Sequence, residues 1–271
     1  MLPFAIESVL AQQRGDFELV VICDGAPPAT GECARHFAAG DPRIQVRDLA
    51  KGERHGELHR DEVLSSARGT YVCQIADDDL WFPNHLEEMS VLLAHCDFGN
   101  LTQTNVSPNG QLSPFVYDLS QQRTVERMLD EDFNFFGPTV SGYRLDVYRR
   151  LSERWGPAPR EIWSDLYMWR KFLRAPGVRA ETRHVITSLS FPTPHRRDWS
   201  IADRRTENEF YAAMLKTAAG RSQLRADAMR ALAARAVEQE IDILKLRRKS
   251  YLYRATAKVH RILRQLLARI G

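Results

Sequence analysis

Between residues 4 and 75, short β-rich apolar runs alternate with segments of helical period, and this alternation restricts the chain to a sheet covered by helices. Residues 4–12 read as a helix feeding an apolar run over 17–23, which Asp24-Gly25 and two prolines end. Residues 30–39 and 57–67 are helical again, 43–46 form a short strand, and 70–75 form another buried strand. Such an order predicts a parallel α/β sheet, in which ligands bind beyond the carboxyl ends of the strands. Asp24 and the triplet Asp77-Asp78-Asp79 stand at those ends.

Three adjacent carboxylates at the mouth of a sheet repel one another unless a cation or solvent offsets the charge. Mg²⁺ or Mn²⁺ held by one or two carboxylates completes its shell with water and phosphate oxygens, so the triplet predicts a diphosphate site. The alternative is a solvated acidic turn before the helix that starts near Pro83. The buried strand ahead of the triplet and Leu80-Trp81-Phe82-Pro83 behind it favour the site.

The order and spacing of residues 5–12, 16–20, Asp24-Gly25, Arg60, 67–71, 76–81, Pro83 and Leu86 resemble those of family 2 glycosyltransferases with the GT-A fold. The resemblance is close over residues 4–89 and weak to about residue 200. It implies a nucleotide-sugar-binding, Rossmann-like α/β fold with a mixed sheet flanked by helices. It also implies that Asp24 contacts the nucleotide base and that Arg60 lies along the nucleotide. Asp77 and Asp79 become the outer members of a D-x-D motif, with Asp78 on the donor side and Asp79 as metal ligand. Read from the residues alone, the alternative for Asp24 is a turn residue before Gly25, and Arg60 is equally a surface helix charge. Cys23, Ala26 and Asp61 depart from the family's usual acid, Ser and Asn, which bears on the donor more than on the fold.

Farther along, residues 100–110 suggest a strand and turn, and Gly137 to Tyr143 lead into a helix over 145–154. Ser164 is placed to cap a helix whose first turn holds Asp165, with Trp169 and Phe172 at helical spacing. This segment resembles the family's acceptor-side motif, which makes Asp165 the candidate general base and Glu161 its substitute. A carboxylate favoured by the helix dipole is the plainer alternative. The resemblance also makes His195 a candidate for the metal shell or the diphosphate, against a surface loop histidine, while Arg196 or Arg197 would neutralise phosphate. Trp81, Trp163 and Trp169 read as core or acceptor-groove packing.

Composition divides the chain near residue 200 into a GT-A domain, 1–200, and a helical extension, 201–271, rich in Ala, Arg, Leu and Glu. Residues 243–271 hold nine Lys or Arg and no acid, so the first 242 residues carry the negative balance of a chain whose net charge is +3. From Leu252 to Ile270 the apolar residues share one helical face beside Arg254, Lys258, Arg261, Arg264 and Arg269. Such a basic amphipathic helix suits an anionic membrane surface, a partner protein or a homodimer, with nucleic acid the least favoured. No run approaches the ~18 apolar residues of a membrane span and Met1-Leu2-Pro3-Phe4 is no secretory signal, which assigns the cytoplasm or the inner face of its membrane. Four spaced cysteines without a C-x-x-C pair read as reduced.

The first expectation is therefore a metal-dependent inverting transferase taking a nucleotide-diphosphate sugar, UDP-linked, to a glycan, polysaccharide or lipid-linked acceptor. The competing expectations are a nucleotidyltransferase, disfavoured by the lack of a Gly-rich phosphate loop, and a catalytically degenerate subunit docking through its tail. The family's opening strand has no counterpart ahead of residue 5. The chain is accordingly expected to be shortened, either by a start assigned about 15 residues late or by natural loss of the strand.

Overall fold

The computed structural model describes residues 1–267, with side chains through residue 247. The chain runs α1 (Leu2–Leu10), β1 (Leu19–Asp24), α2 (Pro28–Gly40), β2 (Ile44–Leu49), α3 (Glu57–Ser66), β3 (Tyr71–Cys73), β4 (Leu80–Trp81) and α4 (His85–Leu93). It continues with β5 (Phe98–Leu101), β6 (Thr104–Val106), β7 (Leu112–Pro114), α5 (Gln122–Asp130), β8 (Ser141–Arg144) and α6 (Leu145–Arg150). Then come α7 (Ser164–Arg174), β9 (Ala180–Arg183), β10 (Ser188–Leu189), α8 (Ile201–Lys216) and α9 (Ala218–Leu267).

The sheet is mixed, which corrects the parallel sheet expected from alternation alone and agrees with the one the family resemblance implied. β1 and β2 pair in parallel as a separate two-stranded piece, whereas in the four-stranded sheet β8 runs antiparallel between β3 and β5, and β9 joins β5 in parallel. β8 was read only as a lead into a helix, and that helix stops at Arg150 rather than 154. Fully buried Phe98, Tyr143, Tyr148, Trp169 and Phe172 fill the space between this sheet and α7, with Phe98 and Phe172 stacked at 4.7 Å. The β1 and β3 edges that lack a partner strand line a common cleft of about 550 Å³, together with Leu2, Ala5, Ile6 and Val9 of α1.

A second core joins Leu80, Phe82, Val106, Leu189 and Phe191 to Tyr211 and Leu215 of α8 and to Leu224 and Ala228 of α9. The composition change near residue 200 therefore does not mark a break in packing. Ser200 and Asp203 start α8 as a reciprocal capping box, which corresponds to about 1 kcal/mol for such a cap. Beyond the body α9 continues to Leu267, a helix of 50 residues and thus roughly 75 Å. The basic face expected from Leu252 onward lies outside the described side chains. Among the described residues no helix is long and apolar enough to cross a membrane. The four cysteines are free.

His85 opens α4 with its ring stacked on Trp81 at 4.1 Å and Nδ1 2.9 Å from the Thr187 hydroxyl. Its Nε2 is buried without a partner, and burial pushes its pKa down to about 3 from 6.5. The unfolded chain therefore takes up a proton below 6.5 that the folded chain refuses. Stability from this group is complete above pH 6.5 and falls by up to about 1.4 kcal/mol per pH unit below it. Urea midpoints at pH 7, 6 and 5 should show that slope, and His85→Gln should flatten it; equal slopes in both proteins would refute the assignment.

Candidate active site

Asp24 closes β1, and the loop of residues 50–56 folds over it. Gly52 N–H donates to its Oδ1 at 2.5 Å, the Lys51 ammonium pairs with its other oxygen, and His59 Nε2 lies 3.5 Å away. Burial pushes this carboxyl up, but the Gly52 and Lys51 contacts outweigh it and leave the pKa below its usual value. Gly56 has to be glycine, because its φ is +70° and a Cβ would stand 2.7 Å from Asp24 Oδ2.

The triplet after β3 divides into three environments. Asp77 is exposed, and Asp78 is half-buried with Oδ2 2.6 Å from Arg204 Nη2 of α8. Asn208, one turn along α8, donates to the Asp78 carbonyl at 3.2 Å. Asp79 is buried, accepting from the Thr139 hydroxyl at 2.5 Å and from Phe191 N–H at 2.9 Å. Its pKa is pushed up to about 7 by burial and by the Asp78 charge. Asp79 thus turns inward, and its two oxygens brace the loop against β10 and the turn before β8.

Among the described residues no three His, Cys, Asp or Glu side chains converge. His195 sits exposed in the 3-10 turn Thr193–Arg196. Arg196, expected near phosphate, is buried instead. Its guanidinium makes two 2.6 Å bonds to Glu207 and lies 5.4 Å over both Phe191 and Trp199, so it bolts this turn to α8. Arg197 is exposed. The roles of Arg204 and Asn208 were not legible, because both lie past the composition change and reach the triplet only through the fold.

A second cleft of about 750 Å³ opens between the loop before α3 and the start of α7. Asp165 and Glu161 line it with Arg54, Arg160, Asn134, Phe115, Phe135 and Trp163. Ser164 does not cap α7 but is its first residue; the Asp165 carboxylate accepts from Leu166 N–H at 2.8 Å and from Asn134 Nδ2 at 3.0 Å. Burial raises the Asp165 pKa against these hydrogen bonds. Arg60, His55 and Pro138 line both clefts, and the Arg60 guanidinium rests 4.9 Å over the Trp155 ring. Of the three tryptophans noted, Trp81 and Trp169 are core residues, while Trp163 is 56% exposed at this cleft.

Comparison with known proteins agrees with this architecture. An uncharacterized glycosyltransferase of Bacillus subtilis, EpsJ, is 36% identical over 74 residues, which is 27% of this chain and 21% of EpsJ. The structure of Staphylococcus aureus TarS 1-349 with UDP-GlcNAc matches with a TM-score of 0.54 at 17% identity, over 70% of this chain and 54% of that one. The mannosyltransferase PcManGT of Pyrobaculum calidifontis, solved with GDP-Man and Mn²⁺, matches with a TM-score of 0.51 at 17% identity, over 88% of this chain and 72% of that one. The chain thus spans little more than half of that TarS structure and a fifth of EpsJ. These likenesses show a GT-A fold. The model of glycosyl transferase family 2 matches residues 1–152, more than half of the sequence, and the chain belongs to that family.

Proposed function

We propose that the protein transfers a sugar, with inversion, from a UDP-linked donor to a hydroxyl of a glycan, polysaccharide or lipid-linked acceptor. The observation that carries this reading is the pair of clefts sharing Arg60, one bordered by Asp24 and Asp77 and the other by Asp165. The donor occupies the first, with its base near Asp24 and its diphosphate by Arg60 and the acidic loop. The acceptor hydroxyl lies in the second, beside Asp165.

A divalent cation, Mn²⁺ or Mg²⁺, suits the donor set, because Asp77 and Asp78 are adjacent hard carboxylates and such ions take one or two with water and phosphates. When bound, it would neutralise charge growing on the leaving diphosphate. Asp78 exchanges Arg204 for that charge, and Asp79 braces the loop. Asp165 accepts the acceptor's proton as its oxygen bonds to the anomeric carbon and the carbon–oxygen bond to the diphosphate breaks. Attack from the face opposite the leaving group inverts the anomeric centre. Glu161, exposed at the rim, is the substitute base. A radiolabelled UDP-sugar should be turned over with Mn²⁺; a chain that binds the donor and never consumes it would favour the degenerate-subunit alternative. That alternative gains support from Asp24 and Asp78 both holding internal cations.

Residues 243–271 place the enzyme on anionic lipid, near a lipid-linked acceptor, with partner docking or a homodimer as the other uses of the tail. Sedimentation with anionic vesicles should carry the full chain down and leave a chain lacking these residues in the supernatant. Equal sedimentation of the two would remove the membrane role.

A further inference from the structure

The cleft beside Asp165 holds more positive charge than the proposed transfer uses. Arg54, Arg60 and Arg160 line it, and none of the three has a carboxylate within ion-pair distance among the described residues, whereas Arg196 and Arg204 do. Arg60 and His55 also line the donor cleft and are placed to serve a diphosphate. Arg54 and Arg160 line only the acceptor cleft. The acids in this cleft do not neutralise them: Asp165 is engaged by Asn134 and Leu166 N–H, and Glu161 is exposed.

Arg54 carries two further signs of a ligand. Its φ of +56° makes it the one non-glycine residue in the left-handed region among the described residues, a conformation that disfavours any side chain with a Cβ. Strain of this kind persists where surroundings enforce it, and it clusters at ligand clamps. Its Nη2 donates to the Ile162 carbonyl at 3.1 Å, tying the loop over Asp24 to the loop before α7. Its Nε is buried and has no acceptor. A guanidinium so held keeps Nη1 and the second Nη2 hydrogen for a planar or tetrahedral anion. In the same cleft, Trp163 leaves 56% of its surface open, an apolar face of the size of a sugar ring.

Resting on the assignment of this cleft to the acceptor, we propose that the acceptor is an acidic saccharide. Its phosphate or carboxylate is held by Arg54 and Arg160 while a neighbouring ring lies on Trp163, which sets that ring's hydroxyl toward Asp165.

The test is equilibrium binding to the full chain without donor, followed by tryptophan fluorescence, of maltotriose, its 6-phosphate and its 6-carboxylate. At least one charged probe should bind about tenfold or more tightly than the neutral one, and the stronger of the two names the anion. Arg160→Gln, at an exposed position, should erase that preference and leave binding of the neutral probe unchanged; Arg54→Gln should do the same. Trp163→Ala should weaken all three probes alike. Equal binding of the three probes, or a preference that survives both arginine substitutions, would overturn the proposal. UDP-sugar binding by the same proteins keeps the two ideas apart. Donor binding without discrimination among the probes defeats only the acidic acceptor, whereas absence of donor binding defeats the transferase reading itself.

Discussion

Asp78→Asn should lower cation-dependent donor turnover by about a hundredfold or more while the protein keeps its fold. The carboxylate stands beside Asp77 of the donor cleft without lining it, and its partner Arg204 keeps a side-chain exposure of 19%, so water can solvate the guanidinium that the substitution leaves behind. The stability cost is therefore about 1 kcal/mol, the scale of a partly exposed pair. Asp79 behaves differently. Its oxygens hold Thr139 and Phe191, so Asp79→Leu should lower the unfolding midpoint by several degrees, because two buried donors lose their acceptor. Near-normal turnover in Asp78→Asn, measured as release of UDP from a UDP-sugar with Mn²⁺, would remove Asp78 from the site.

Asp165→Asn should cut transfer by about a hundredfold or more with donor affinity unchanged, since a base acts on the acceptor's proton and not on the donor. Glu161→Gln, at an exposed rim position, should change transfer by no more than about threefold. Burial raises the Asp165 pKa, and a base works only when deprotonated. The rate should accordingly rise with pH through a value above that of a free aspartate, and Asp165→Asn should lose that limb. If donor affinity falls as much as rate, Asp165 instead starts α7, the role its bond from Leu166 N–H would explain. A larger loss in Glu161→Gln would exchange the two acids.

The first ninety residues were legible because their elements follow local rules. The runs over 17–23 and 70–75 are rich in apolar residues and lead to acids, and α1 to α4 carry helical periods, so Asp24 and the triplet stood out at strand ends. β8 was hidden because Ser141 and Gly142 are poor strand formers; Gly142 is demanded by Met89, whose side chain would collide with any Cβ there. The order of burial within the triplet was also hidden. Which aspartate turns inward depends on Thr139 and Phe191, residues 60 and 112 positions away. Arg204, Asn208 and the Arg196–Glu207 bolt depend likewise on α8 returning to the loop, which no local pattern announces. Asp165 was found through its helix start, although the cap was assigned to the wrong residue and Asn134, its hydrogen-bond partner, carried no signal of its own.

The most direct test of the account is equilibrium binding of UDP-, GDP-, ADP- and dTDP-sugars to the full chain, each with and without Mn²⁺. The account predicts that one nucleotide, UDP, is bound selectively, and that Mn²⁺ tightens this binding by about tenfold or more through Asp77 and Asp78. Failure of every nucleotide sugar to bind, with the cation present or absent, would contradict it.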